Sequence, residues 1–147
     1  MGFFSNIFKP KVSKTFVSNN LGTFTLVYSK GNKNLWSNDN SSFPLTVQGT
    51  ADNPDTEQIL FLENFNNELL KLNDKITSKF KYEFTEADLD ASFNNWNERF
   101  KLVSASVMVI FENEAYWNIT FEDLKTPFAH FTLYIEGQKL TDFSIDT

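Results

Sequence analysis

The residues best able to do chemistry in this chain lie close together: Glu122, Asp123 and His130 flank a Lys125-Thr126-Pro127 turn. A carboxylate beside an imidazole can act as general base and general acid. The same residues have a plainer explanation. Acids and proline suit β-turn geometry, and a lone His on the polar side of a strand usually faces solvent or a hydrogen-bond partner. We therefore assign no catalytic residue and keep Glu122, Asp123 and His130 as candidates for contacting a partner. Trp36 joins them. It stands in a turn-rich Asn34–Asn38 stretch, where a large aromatic is least expected to be fully buried and would supply contact area at low entropy cost.

Other chemistries are excluded by residue type. The chain has no Cys and one His, so disulfide frameworks, thiolate nucleophiles, Cys-based zinc or iron–sulfur sites and multi-histidine centres are ruled out. The glycines at 2, 22, 31, 49 and 137 form neither a phosphate-cradling loop nor a nucleophile elbow. Acids and His match no EF-hand or zincin spacing. No cofactor, metal or nucleotide is expected.

Charge points the same way. The net charge is -6, and a field of that sign repels phosphate backbones and favours a basic partner surface. Residues 1–38 hold five lysines and no acid, which leaves 8 basic against 19 acidic groups, a net -11, in residues 39–147. The basic start, Met1-Gly2-Phe3-Phe4-Ser5-Asn6-Ile7-Phe8-Lys9-Pro10-Lys11, has too short an apolar run for a signal peptide, and Asn6 breaks the myristoylation pattern. A cytoplasmic protein is expected. Phe4, Ile7 and Phe8 share one face of a short helix that Pro10 ends. With Phe3, Lys9 and Lys11 this segment either docks on the domain's own core or forms a membrane-surface foot.

The elements that must position these residues can be read from hydrophobic period. Residues 12–48 carry strand runs: Thr15-Phe16-Val17 and Thr23 to Tyr28 about an Asn-Gly turn, then Leu35-Trp36, then Phe43 to Val47. At residue 55 the period becomes helical. Asp55 or Thr56 caps a long helix over 55–83 whose Phe61, Leu62, Phe65, Leu69, Leu72, Ile76 and Phe80 form one stripe. Thr85-Glu86-Ala87-Asp88 approximates a capping box for a second helix over 86–100, with Leu89, Phe93, Trp96 and Phe100 as its core stripe. From 101 to 146 the period returns to two. Val103, Ala105, Val107, Val109 and Phe111 alternate on one face, and strands at Tyr116–Phe121, His130–Ile135 and Leu140–Ile145 follow around turns at Asn113-Glu114 and Glu136–Lys139. The expectation is a single α+β domain over 1–147. Its antiparallel sheet combines N-terminal hairpin strands with a C-terminal four-stranded meander, two central helices cover one face, and a short helix occupies 1–10.

This layout resembles a loose group of uncharacterised small bacterial domains. The resemblance is carried by the first hairpin ending in Leu35-Trp36, by the helix start Pro54-Asp55-Thr56-Glu57-Gln58, and by the terminal hairpin His130-Phe131-Thr132-Leu133-Tyr134-Ile135-Glu136-Gly137-Gln138-Lys139. It implies a cytosolic, non-catalytic accessory domain, with some relatives acting as immunity proteins beside toxin genes.

These readings together predict a protein-binding module, most concretely an inhibitor whose acidic surface covers a basic toxin domain. A second copy of the chain is the other protein partner they allow. The competing expectations are a small-molecule-binding or weakly hydrolytic α+β domain, with the 86–100 helix closing a pocket, and a membrane-peripheral adaptor.

Overall fold

Alternating apolar and polar residues build eight strands, seen in a computed structural model that describes residues 14–39 and 42–147. They are β1 (Thr15–Ser18), β2 (Gly22–Lys30), β3 (Lys33–Asn38), β4 (Leu45–Gln48), β5 (Phe100–Phe111), β6 (Glu114–Asp123), β7 (Thr126–Glu136) and β8 (Lys139–Asp146), with helices α1 (Thr56–Glu63) and α2 (Phe65–Glu86) between β4 and β5. The segment expected as a short helix at 1–10 lies outside the described residues.

All eight strands join one sheet in sequence order, where the sequence suggested only antiparallel pairing. The departure is at its middle. β4 and β5 run parallel, with Leu45 opposite Ala105 and Thr46 opposite Ser106. The reason is the helical crossover between them: a chain that leaves one end of the sheet and returns to the same end must lay down its next strand in parallel. The other neighbours are hairpins. The β5–β6 turn places Glu112 and Asn113 at φ 50° and 64°, the two positive values a tight hairpin turn requires, one residue earlier than expected.

The long helix expected over 55–83 is two. Asp55 caps α1, its carboxylate accepting from the Gln58 N–H at 3.0 Å. At Asn64 the backbone opens to φ -99°, ψ 14°, and its N–H turns back to the Phe61 carbonyl at 3.1 Å. α2 then continues to Glu86. The helix expected over 86–100 does not form, because the supposed capping box is a helix end. The Leu89 N–H reaches the Phe84 carbonyl at 2.8 Å and the Asp88 N–H reaches Thr85 at 3.1 Å, with Asp88 at φ 56°. That pair of bonds about a left-handed residue is a Schellman stop. Residues 89–95 follow an irregular path to a 3-10 turn at Trp96–Glu98.

The aromatics of that stretch are still core. Phe93, Trp96 and Phe100 are buried, whereas Leu89 is exposed. Trp96 is pinned through its Nε1 to Asn73 Oδ1 at 2.9 Å and through its backbone N–H to Thr77 Oγ1 at 3.1 Å. Phe93 and Trp96 meet Phe100 and Phe121 edge to face at 5.4 and 5.0 Å. The pocket-closing helix required by the small-molecule expectation is therefore absent.

Both helices lie over one face of the sheet, as expected. Leu62, Phe65, Leu72, Ile76, Phe80 and Phe84 are buried with Trp117, Ile119, Phe121, Phe131 and Leu133 from the central strands. The opposite face is polar. The registers align Ser104, Thr120, Thr132 and Ser144 in one row across β5 to β8, with Thr120 and Thr132 hydroxyls 2.9 Å apart.

The β4–α1 loop fits closely over the sheet end. A Cβ at Gly49 would sit 2.4 Å from the Asn53 carbonyl oxygen and 2.6 Å from Pro54 Cα, both backbone atoms that cannot swing aside. Gly49→Ala is expected to cost about 1–3 kcal/mol of unfolding free energy by overpacking, read by denaturant titration.

Candidate functional site

Trp36 is the first correction. The alternation of β3 sends Asn34, Trp36 and Asn38 inward, and Trp36 is 0% exposed with its Nε1 donating to the Thr50 carbonyl at 2.9 Å. It anchors the β4–α1 loop and is not available to a partner.

The carboxylates and the imidazole near the β6–β7 turn are split between the two sheet faces. Asp123 is buried on the helix side, where Arg99 grips both carboxylate oxygens, Nε at 3.0 Å and Nη2 at 2.9 Å. The Lys125 N–H adds a third bond at 2.9 Å. Arg99 is itself held by the Asp90 carbonyl and lies over the Phe84 ring at 4.7 Å. Burial, the largest influence on the Asp123 carboxyl, raises its pKa, but the bonds and charge from Arg99 together with the Lys125 N–H outweigh it and hold the carboxyl below its usual 3.8. Glu122 and His130 are directly opposite each other on β6 and β7, and alternation turns both to the polar face. The triad considered from sequence is thus a structural clamp plus an outward-facing pair. His130 is exposed, so His130→Ala is expected to change stability by less than about 0.5 kcal/mol, measured by thermal unfolding.

A cluster not anticipated from sequence stands at the opposite end of β6. Val109 and Phe111 are 45% and 61% exposed, although their spacing put them with the buried Ala105 and Val107. Two β-bulges, at Leu102/Ser104 and Val107/Val109, shift the β5 register, so that Val109 pairs with Tyr116 and Phe111 with Glu114. One inserted residue moves every later side chain to the other face. No sequence period records such an insertion. Only the residue types of Phe111-Glu112-Asn113-Glu114 could have drawn attention to this tip.

Acids surround these apolar side chains. The Tyr116 hydroxyl donates to Glu136 Oε1 at 3.0 Å. Its pKa is raised, first by that bond, then by burial and by the negative charges of Glu136, Glu114 and Glu112. The ordering shows that the three carboxylates share one local field. The Glu114 side chain lies over Gly137, whose φ of 63° and missing Cβ leave room for it. On the helix side the tip borders a cleft of about 520 Å³ that includes Phe61, Glu68 and Ile110. A small apolar centre rimmed by carboxylates can bind a protein surface that offers Lys or Arg around an apolar patch.

Among the described residues no group of three or more His, Cys, Asp or Glu is arranged to hold a metal ion, and no helix is long and apolar enough to cross a membrane. Phe3, Phe4, Ile7, Phe8, Lys9 and Lys11 lie outside the described residues. No family model, curated protein or solved structure matches this chain significantly.

Proposed function

We propose that this chain is a non-catalytic protein-binding module of the cytoplasm whose acidic, partly apolar tip covers a basic protein, in the manner of an immunity-type inhibitor masking a cognate toxin. The observation that carries the reading is Phe111, 61% exposed, next to Val109 and within the common field of Glu112, Glu114 and Glu136. An exposed aromatic among carboxylates fits the pattern of an anchor that gives affinity inside a charged rim that gives on-rate and partner choice. The net -11 of residues 39–147 extends the attraction beyond the contact area.

The test uses the protein encoded next to this one in its source genome. Expressed alone, that neighbour is expected to arrest growth, and co-expression of this chain to restore it through a complex that purifies intact. Phe111→Ala should weaken the complex by about 2 kcal/mol, the size of a hot-spot truncation, without lowering the melting temperature of the free chain. Rescue that is indifferent to Phe111, or no complex with any basic neighbour, would remove the reading.

A further inference from the structure

β4 pairs with β5 only as far as Thr46 and Ser106, yet β5 runs on to Phe111. Beyond Ser106 its β6 edge is laddered while its other edge faces a groove of about 550 Å³. Met108 and Val109 form one wall of that groove, and the loop from Gln48 to Gln58 forms the other. Among the described residues no backbone hydrogen bond joins residues 107–111 to that loop. Met108 and Val109 are 39% and 45% exposed. A half-edge of this kind, with open backbone groups beside apolar side chains, accepts a further length of chain.

We propose that residues 1–13 of this same chain are the occupant. They would lay Phe3, Phe4, Ile7 and Phe8 against Met108 and Val109 and turn Lys9 and Lys11 toward the acids of the loop. Three observations select this segment. It enters at the right place, because the Lys14 ammonium pairs with Asp52, on the loop that walls the groove, and that contact lowers the Asp52 pKa. Its charge is complementary: residues 1–13 hold lysines and no acid, whereas the loop and the start of α1 carry Asp52, Asp55 and Glu57. Its length suffices, since thirteen residues span up to about 43 Å when extended. Tethering raises its local concentration to the millimolar range, which a separate partner must exceed. The inference does not depend on the basic-partner reading. Once seated, the segment would border the acidic tip through Val109.

The absence of Cys makes the test clean. In the full chain, the pair Phe8→Cys and Met108→Cys should oxidise to an intramolecular disulfide with a yield about tenfold above the pair Phe8→Cys and Phe128→Cys, which samples an exposed position at the other end of β7. Independently, deleting residues 2–13 should speed hydrogen exchange of the 107–111 amides by about tenfold or more. Equal yields for the two cysteine pairs, or unchanged exchange, overturn the proposal. Two further results do so in favour of another occupant: crosslinks between chains that grow with protein concentration indicate a second copy, and sedimentation with anionic phospholipid vesicles that the deletion abolishes, with exchange unaltered, indicates a membrane surface.

Discussion

Phe80→Ala is expected to cost about 4 kcal/mol of stability, the range measured for removing a buried aromatic and leaving its cavity. Phe80 is 0% exposed and sits at the centre of the aromatic core. It stacks on Phe100 at 4.0 Å and meets Phe84, Phe121, Phe131 and Phe143 between 5.3 and 6.4 Å. Those rings come from α2 and from β5, β6, β7 and β8, so the cavity would open where helix and sheet are joined. For a chain of this size each kcal/mol moves the melting temperature by about 2–4 °C, so a fall of roughly 10 °C should be seen. Phe80→Leu, which refills part of the volume, should cost less than half as much. A change below about 1 kcal/mol for Phe80→Ala would show that the neighbouring rings collapse into the space.

Asp123→Ala is expected to cost about 3–5 kcal/mol, because it leaves the Arg99 guanidinium buried without its counter-ion. The two side chains are only 10% and 3% exposed, so water cannot replace the lost fork. Removing both charges should cost less than removing one: Arg99→Met combined with Asp123→Leu should recover most of the loss. The pair also sets an acid limit. The Asp123 carboxyl titrates lower in the folded protein than its usual 3.8. Its contribution to stability is therefore fully present above the unfolded-state pKa and fades as pH falls through the lower folded value. Asp123→Asn should flatten the fall in unfolding free energy below about pH 4, measured by urea titration across the acid range. An unaltered slope would place the acid sensitivity in other carboxylates.

Much of the scaffold was legible because it follows from single-chain periodicities. The stripe from Phe61 to Phe80 faces the core, and the β2, β3, β6 and β7 alternations hold in the structure. What stayed hidden depends on local geometry that period does not carry. Asp88 in a left-handed conformation turned an apparent helix start into a helix stop, although the aromatics beyond it reached the core by an irregular path. The β5 bulges exchanged faces for Val109 and Phe111 and so created the tip. Trp36 looked exposed from its polar neighbours, yet Asn34 and Asn38 are themselves buried. Asn34 bonds the Gly49 carbonyl and Asn38 bonds that of Leu21. In the β6–β7 turn the sequence placed Asp123 beside His130, and the pleat set them on opposite sides of the sheet.

The central claim is that this chain acts through the carboxylates around Phe111. Its most direct test is the affinity for the neighbouring gene's product across a salt series, with the wild type beside Glu112→Lys/Glu114→Lys/Glu136→Lys. We predict wild-type binding that weakens steeply with salt, and a triple variant of unchanged melting temperature that binds at least about 100-fold more weakly at low salt. Equal affinity and equal salt dependence for the two proteins would contradict the account.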